Sequence, residues 1–305
     1  MEIEFASLDD SLARFTLSGA TTAFANAFRR AMIGEVPTLA IEDVRIYDNT
    51  SALFDEMLAH RLGLIPIKTD LSTYSTQEKC ACGGAGCPGC TSTYTLSVEG
   101  PKTVMSSDLI PQDPGAAPVF ENIPIVKLTK GQKLVIEARA VLNTGRTHAK
   151  WQPTLVCGYK NYPVVSISDA CDACGMCVDE CPRGILAVKG KKVQVVDGKL
   201  PDCSMCKLCE RACLASGIGD EPAIRITAEP DRFIFVVESD GSLPAKEILP
   251  LDGQEAKSRR SHRDRHRREA ANHVGGPRAP QKCRQDRHCL RSQPRGQVNG
   301  GSGKR

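Results

Sequence analysis

Twelve of the fifteen cysteines in this 305-residue chain stand in three groups of four. Four thiolates are the ligand set of a structural zinc site and of an iron–sulfur cluster. Disulfides are rare in reducing compartments, so grouped cysteines in a chain without an export signal indicate metal or redox chemistry. The groups are Cys80, Cys82, Cys87 and Cys90; Cys171, Cys174, Cys177 and Cys181; and Cys203, Cys206, Cys209 and Cys213.

The second and third groups share one spacing, C-x2-C-x2-C-x3-C, although Leu214 follows the second run where Pro182 follows the first. This spacing is typical of bacterial ferredoxins, in which the fourth cysteine of each run ligates the other cluster. We therefore predict two [4Fe–4S] clusters, with two zinc knuckles as the alternative. The predicted ligands are Cys171, Cys174, Cys177 and Cys213 for cluster one, and Cys203, Cys206, Cys209 and Cys181 for cluster two.

The first group reads Cys80-Ala-Cys82-Gly-Gly-Ala-Gly-Cys87-Pro-Gly-Cys90. Its glycines allow the left-handed backbone that tight knuckles need. Four thiolates in such a loop predict one closed, structural Zn²⁺ site. The alternative is a flexible loop that binds nothing.

The segments around the cysteines show the periodicities of helices and strands. Phe24, Phe28 and Met32 recur at helical spacing, which predicts a buried stripe on a helix over residues 21–33. A second helix is predicted over 51–62, with Leu53, Met57, Leu58 and Leu62 on its apolar side. Alternating residues predict two strands within 2–17 and others at 41–47, 93–98, 133–141 and 232–238, and a last helix starts near 243.

The formal net charge of +4 is an average over two unlike parts. Residues 1–250 hold 25 Lys and Arg against 31 Asp and Glu, whereas residues 251–305 hold 15 against 5. The net charges are thus −6 and +10. No run of about 18 apolar residues is present, which predicts no membrane span. The acidic start, Met1-Glu-Ile-Glu-Phe5, lacks the apolar core of a signal peptide, so we expect a cytoplasmic protein.

Residues 251–305 contain no aromatic residue and twelve arginines, a composition that predicts disorder. The basic run at 257–268 could bind phosphates of a nucleic acid. The abrupt change after Leu249 instead favours the hypothesis that this end of a GC-rich gene is read out of frame. A genuine basic tail is the alternative.

Three motifs outside the cysteines carry a family resemblance. Phe24-Ala-Asn-Ala-Phe-Arg-Arg30, with Glu35-Val-Pro-Thr-Leu-Ala-Ile-Glu-Asp43, resembles the first helix region of the RNA polymerase alpha-subunit family. His60-Arg-Leu-Gly-Leu-Ile-Pro-Ile67 resembles its second signature. Thr147-His-Ala-Lys-Trp-Gln152 and the four-cysteine loop look like the archaeal and eukaryotic version. Over about residues 1–249 the chain is similar to the archaeal branch of this family, some members of which carry a ferredoxin-like insert.

The resemblance implies an α+β architecture with a discontinuous, alpha-like dimerisation domain. That domain would comprise residues 1–42 and 224–250. A domain inserted at 43–165 would carry the four-cysteine loop at 80–90, and a ferredoxin-like domain would span 166–223. Residues 251–305 would remain a low-complexity tail.

The resemblance also implies a role in transcription without catalytic residues in this chain. Archaeal members of the family pair with subunit L, and the heterodimer supports the large catalytic subunits, with subunits N and P nearby. Phe24, Phe28 and Met32 would face the partner, and Arg29 and Arg30 would contact a large subunit. The acidic body predicts no direct DNA contact. The competing hypothesis is an electron-transfer subunit of an oxidoreductase, which the ferredoxin-like run alone would favour.

Overall fold

A computed structural model describes residues 1–249 of the chain, apart from 218 and 220. The predictions for the segment 251–305 lie outside the described residues. No helix in the described part is long and apolar enough to cross a membrane. The elements are, in chain order, β1 (Glu2–Leu8), β2 (Leu12–Ser18), α1 (Thr22–Gly34), β3 (Pro37–Asn49), α2 (Asp55–Gly63), β4 (Thr91–Glu99), β5 (Lys102–Met105), β6 (Ile110–Pro111), β7 (Pro124–Leu128), β8 (Lys133–Thr144), β9 (Thr154–Ile167), α3 (Met176–Asp179), β10 (Leu186–Lys189), β11 (Lys192–Val195), α4 (Leu208–Ala215), β12 (Ile224–Ser239) and α5 (Ala245–Ile248).

The first sheet joins residues from both ends of the described chain in the order β1-β2-β12-β9, with every pair antiparallel. Alternation in β2 and β12 places Phe15, Leu17, Phe233 and Phe235 on one fully buried face. The rings of Phe15 and Phe235 stack with centroids 5.0 Å apart. This aromatic layer is the centre of the first core.

Helix α1 covers this aromatic face. It begins after Thr21, whose Oγ1 accepts a hydrogen bond from the Phe24 amide at 3.2 Å. Met32 is fully buried, and the ring of Phe28 meets Phe15 and Phe235 edge to face. The predicted buried stripe is wrong at its first residue, because Phe24 is 38% exposed and its ring packs on Phe28 rather than on the aromatic layer.

The second sheet has the order β3-β8-β4-β6, and β5 and β7 form a separate ribbon beside it. Helix α2 packs on this sheet through Leu58 and Leu62, both fully buried. It begins at Asp55 rather than at residue 51, because the Ser51 amide and hydroxyl bond the Asn49 side chain in a tight turn. That shift leaves Met57, predicted on the apolar side, half exposed.

Two long strands run across the predicted domain boundaries. Strand β9 pairs with β12 from Thr154 onward, so residues 154–165 lie in the first sheet, within the range predicted for the inserted domain. Strand β3 pairs with β8 from Pro37 to Asn49 and so crosses the predicted boundary at residue 43. The domain limits themselves stay a prediction.

A third, smaller lobe packs against the last residues of β9 and the first residues of β12. It contains the β10–β11 hairpin, the short helices α3 and α4, and both ferredoxin-like cysteine runs. Its ten buried core residues are six apolar residues, among them Ile185, Val193, Ile224 and Ile226, and four cysteines. The described chain is therefore α+β, as predicted.

We predict that Phe235→Ala lowers the free energy of unfolding by about 3–5 kcal/mol, because it removes a buried ring that contacts three others. Phe54→Ala is the matched control: Phe54 is 78% exposed, and its change should stay within about 0.5 kcal/mol. Urea unfolding of the full chain measures both. Equal effects would contradict the aromatic core described above.

Candidate metal centres

The four-cysteine loop connects α2 to β4 and ends where that strand begins. Gly84 and Gly86 adopt φ values of +86° and +85°, which favour glycine. The Cys90 amide donates to the Cys87 carbonyl at 2.9 Å, and Cys90 itself is fully buried at the start of the strand. The glycines thus fold the loop back on itself and turn all four thiols toward one point.

The four sulfur atoms have the spacing of a single-ion site. All four lie within 4.8 Å of one another. The Sγ of Cys80 is 3.4 Å from those of Cys82 and Cys87, and the Sγ of Cys90 is 3.6 Å from Cys82 and 3.9 Å from Cys87. Thiolates at ~2.3 Å from a tetrahedral zinc lie about 3.8 Å apart. The donor set and its spacing therefore fit a closed Zn²⁺ site.

The protein environment shifts the pKa values of these thiols in opposite directions. The backbone N–H of Cys87 lowers the pKa of Cys82 to about 5, because it donates to the thiolate. Burial raises the pKa of Cys90 to about 12. A bound cation would favour the thiolate form of all four cysteines, so metal binding there releases protons.

The two ferredoxin-like runs meet in the third lobe, where the fourth cysteine of each run lies beside cysteines of the other run. Burial raises the pKa of Cys177 to about 11, and the neighbouring charges that add to this effect belong to Cys213, Cys171 and Cys174. Burial likewise raises the pKa of Cys209 to about 11, with contributions from Cys203 and Cys181. Cys181, Cys203, Cys206 and Cys209 also line one small concavity with Ile226. These neighbours are consistent with the ligand sets that the spacing predicts for clusters one and two, which stay a prediction.

The two cysteine loops share an uncommon backbone. Residues on both sides of the central cysteine are left-handed in each loop: Ala173 and Gly175 around Cys174, with φ of 61° and 83°, and Met205 and Lys207 around Cys206, with φ of 54° and 59°. Such φ values cost roughly 1–3 kcal/mol at a non-glycine residue. They turn amides toward sulfur: the Met205 N–H donates to the Cys203 Sγ at 3.4 Å. Only Gly175 signals this conformation in the sequence.

One site residue was missed by the sequence reasoning. Lys160, half-buried on β9, donates from its Nζ to the backbone carbonyl of Cys203 at 2.7 Å. Burial lowers the pKa of this lysine. It lies 43 residues from Cys203 along the chain, so no local pattern in the sequence could have connected them.

The predicted interface residues Phe24, Phe28, Arg29, Arg30 and Met32 all lie on α1, next to the exposed ring of Phe5 on β1. The Phe24 ring stacks on Phe28 at 6.1 Å, and the Phe5 ring lies 5.6 Å from Phe15. Phe5 is 42% exposed. Arg29 is half-buried and donates to the Asn26 side chain at 3.2 Å, whereas Arg30 is exposed. Aromatic rings therefore run from the core of the first sheet to the surface.

Comparison with known proteins gives matches to two families. Residues 44–155 match the RNA polymerase Rpb3/RpoA insert domain. Residues 164–187, which hold the first of the two ferredoxin-like runs, match the 4Fe-4S binding domain. The first match begins within β3 and ends at the start of β9.

Full-length relatives extend these matches. The chain is 50% identical over 250 residues to DNA-directed RNA polymerase subunit Rpo3 of Methanosarcina acetivorans, covering 82% of this chain and 91% of the relative. It is 43% identical over 248 residues to subunit Rpo3 of Archaeoglobus fulgidus, covering 81% and 90%. Subunit Rpo3 of Methanothermobacter thermautotrophicus is 43% identical over 252 residues, covering 82% and 92%.

We predict that Cys82→Ser reduces the zinc content of the anaerobically purified chain from about one ion to near zero, because a tetrahedral site loses one of four thiolates. Cys157→Ser is the control, since the Cys157 thiol lies on β9 outside the three groups. Metal analysis by plasma mass spectrometry measures both. A wild-type chain without zinc, or equal zinc in both variants, would contradict the assignment.

Proposed function

The chain belongs to the archaeal Rpo3 family of DNA-directed RNA polymerase subunits, and we propose that it is a non-catalytic assembly subunit of that enzyme. It pairs with a small alpha-like partner, subunit L, and the heterodimer is the platform for the large catalytic subunits, with subunits N and P nearby. The observation that carries this proposal is the sheet β1-β2-β12-β9, which leaves aromatic side chains exposed at its rim.

The partner surface is the apolar end of this sheet. Phe5, Leu8 and Phe24 are exposed, yet the rings of Phe5 and Phe24 each touch a side chain of the aromatic core. Exposed aromatic side chains with rigid support are frequent anchors of protein interfaces. Met32 is buried within the chain and supports α1 from below rather than touching the partner directly. We assign the contact with a large subunit to Arg29 and Arg30.

Catalysis and DNA binding are assigned to other subunits of the complex. The thiols are the strongest chemical feature of the chain, and they stand in groups typical of metal sites. Residues 1–250 carry a net charge of −6. A surface that binds the DNA backbone is usually strongly basic. We therefore propose that this subunit acts in the cytoplasm by holding protein partners, without touching DNA.

The iron–sulfur clusters are proposed to be structural, with a regulatory use in addition. Cys171, Cys174, Cys177 and Cys213 would hold cluster one, and Cys203, Cys206, Cys209 and Cys181 cluster two. Four of the ten buried residues in the core of this lobe are cysteines, so its apolar core is small. The regulatory use would arise because a bound [4Fe–4S] cluster can exchange one electron and can be lost to oxygen. Cluster binding supplies the stability that the small core lacks.

The loop at 80–90 is proposed to hold one structural Zn²⁺. Its four ligands are Cys80, Cys82, Cys87 and Cys90, and the spacing of their sulfur atoms supports the assignment. The ion would fix the connection between α2 and β4.

An electron-transfer subunit of an oxidoreductase is the second candidate. It is favoured by the exposure of Cys174 and Cys206, the central cysteines of the two runs, which would leave a cluster within reach of a redox partner. Membership of a polymerase family favours the first proposal.

We predict that Phe24→Glu weakens binding of purified subunit L by about tenfold or more, because a charge at an aromatic anchor must be desolvated. Phe54→Glu is the matched control, since this exposed phenylalanine precedes α2 in the inserted region. Isothermal titration calorimetry on the anaerobically purified chains gives both dissociation constants. Unchanged binding by Phe24→Glu would contradict the proposed interface.

A further inference from the structure

The loop of cluster two touches the first sheet on the face opposite α1. Successive residues of β2 point to opposite faces, so Arg14 lies opposite Phe15. Lys160 pairs with Ile234, whereas its neighbour Tyr159 pairs with Phe235 and packs on that ring at 5.2 Å. Arg14 and Lys160 therefore both point away from the aromatic core and toward the third lobe.

Two polar contacts join this face to Asp202 and to Cys203, the first proposed ligand of cluster two. The Lys160 Nζ donates to the Cys203 carbonyl at 2.7 Å, and an Nη2 atom of Arg14 lies 2.5 Å from the Asp202 Oδ1. Side chains of Arg14 and Asp202 are 36% and 47% exposed, so solvent weakens their ion pair. The lysine contact is half-buried and therefore the stronger of the two.

Cationic side chains outnumber carboxylates at this junction. Arg14 pairs with Asp202, Lys160 bonds the carbonyl of the next residue, and Arg183 lines the small concavity that Cys203 also lines. Three cations thus lie around one carboxylate. Cys203 is a proposed ligand of cluster two, and a cluster held by four thiolates would be anionic, so its charge would offset the excess of cations.

The loop of cluster one is attached elsewhere. The Cys171 amide donates to the Ser168 carbonyl at 3.3 Å, and the Ser168 amide donates to the Ala223 carbonyl at 2.8 Å. The Ala223 amide in turn donates to the Cys213 Sγ at 3.2 Å. These contacts lie at the far ends of β9 and β12, where Ile167 pairs with Ile224.

We propose that Lys160, assisted by Arg14, docks the loop of cluster two onto the first sheet, so that cluster two stiffens the partner-binding sheet and cluster one does not. Lys160 is a positioning residue: it acts through Cys203 and the docked loop. The inference rests on the proposed function in its two cluster assignments and in the role of the sheet as the partner platform.

The test is amide hydrogen exchange, followed by mass spectrometry, in β2 and β9 of the full chain purified anaerobically with its clusters. We expect Lys160→Met to speed exchange there by about tenfold, which corresponds to loss of one charged hydrogen bond. Its iron content should match the wild type. Lys160→Arg should restore slow exchange, because it keeps a donor. Lys192→Met is the matched control, since Lys192 pairs with Asp169 at 2.5 Å within the third lobe.

A second pair of variants separates the two clusters. Cys206→Ala and Cys174→Ala each remove the central ligand of one run, and iron counts follow the loss. We expect faster exchange in β2 only for Cys206→Ala, with no further increase when Lys160→Met is added to it. Wild-type exchange in Lys160→Met, or equal effects of the two cysteine variants together with no rescue by Lys160→Arg, would overturn the proposal.

Hydrogen exchange is measured on the chain alone, without a partner subunit. A failure of the polymerase assignment would appear in the binding of subunit L by wild-type chain and would leave the exchange pattern intact. A failure of the docking proposal would appear in the exchange pattern alone.

Discussion

Strand β12 is the constraint on which the rest of the structure depends. It is a 16-residue strand that pairs with β2 on one side and with β9 on the other. Its second half, with Phe233, Phe235 and Val237, completes the aromatic core under α1. Its first half, with Ile224 and Ile226, enters the core of the cysteine-rich lobe. One continuous strand therefore links the platform to the proposed clusters.

We propose that bound metal takes the place of apolar packing where the chain has little apolar surface to bury. The first two cores are built from aromatic and aliphatic side chains, whereas the third lobe and the loop at 80–90 depend on thiols. The backbone also indicates a missing stabilising interaction. Ala173, Met205 and Lys207 are left-handed, a conformation that is unfavourable for residues other than glycine unless another interaction compensates for it. Ligation of a cluster by the adjacent cysteines would provide that compensation.

Much of this arrangement could be predicted from the sequence. Cysteine spacing indicated which thiols lie together, since four ligands at fixed intervals leave few geometries, and helical periodicity located α1. The errors concern residues whose environment is set by distant parts of the chain. Phe24 and Met57 have apolar side chains at regular spacing, yet both are exposed. The extent of β9 depends on pairing with β12, some seventy residues later, and Lys160 meets Cys203 only through that pairing.

The most direct test of the assembly role is purification of the tagged full chain under anaerobic conditions from the cells that produce it, with its partners identified by mass spectrometry. We expect stoichiometric recovery with the large RNA polymerase subunits and with transcription activity. We also expect about eight irons per chain, four for each cluster. Recovery with a dehydrogenase or hydrogenase, and without the large polymerase subunits, would contradict the assembly role.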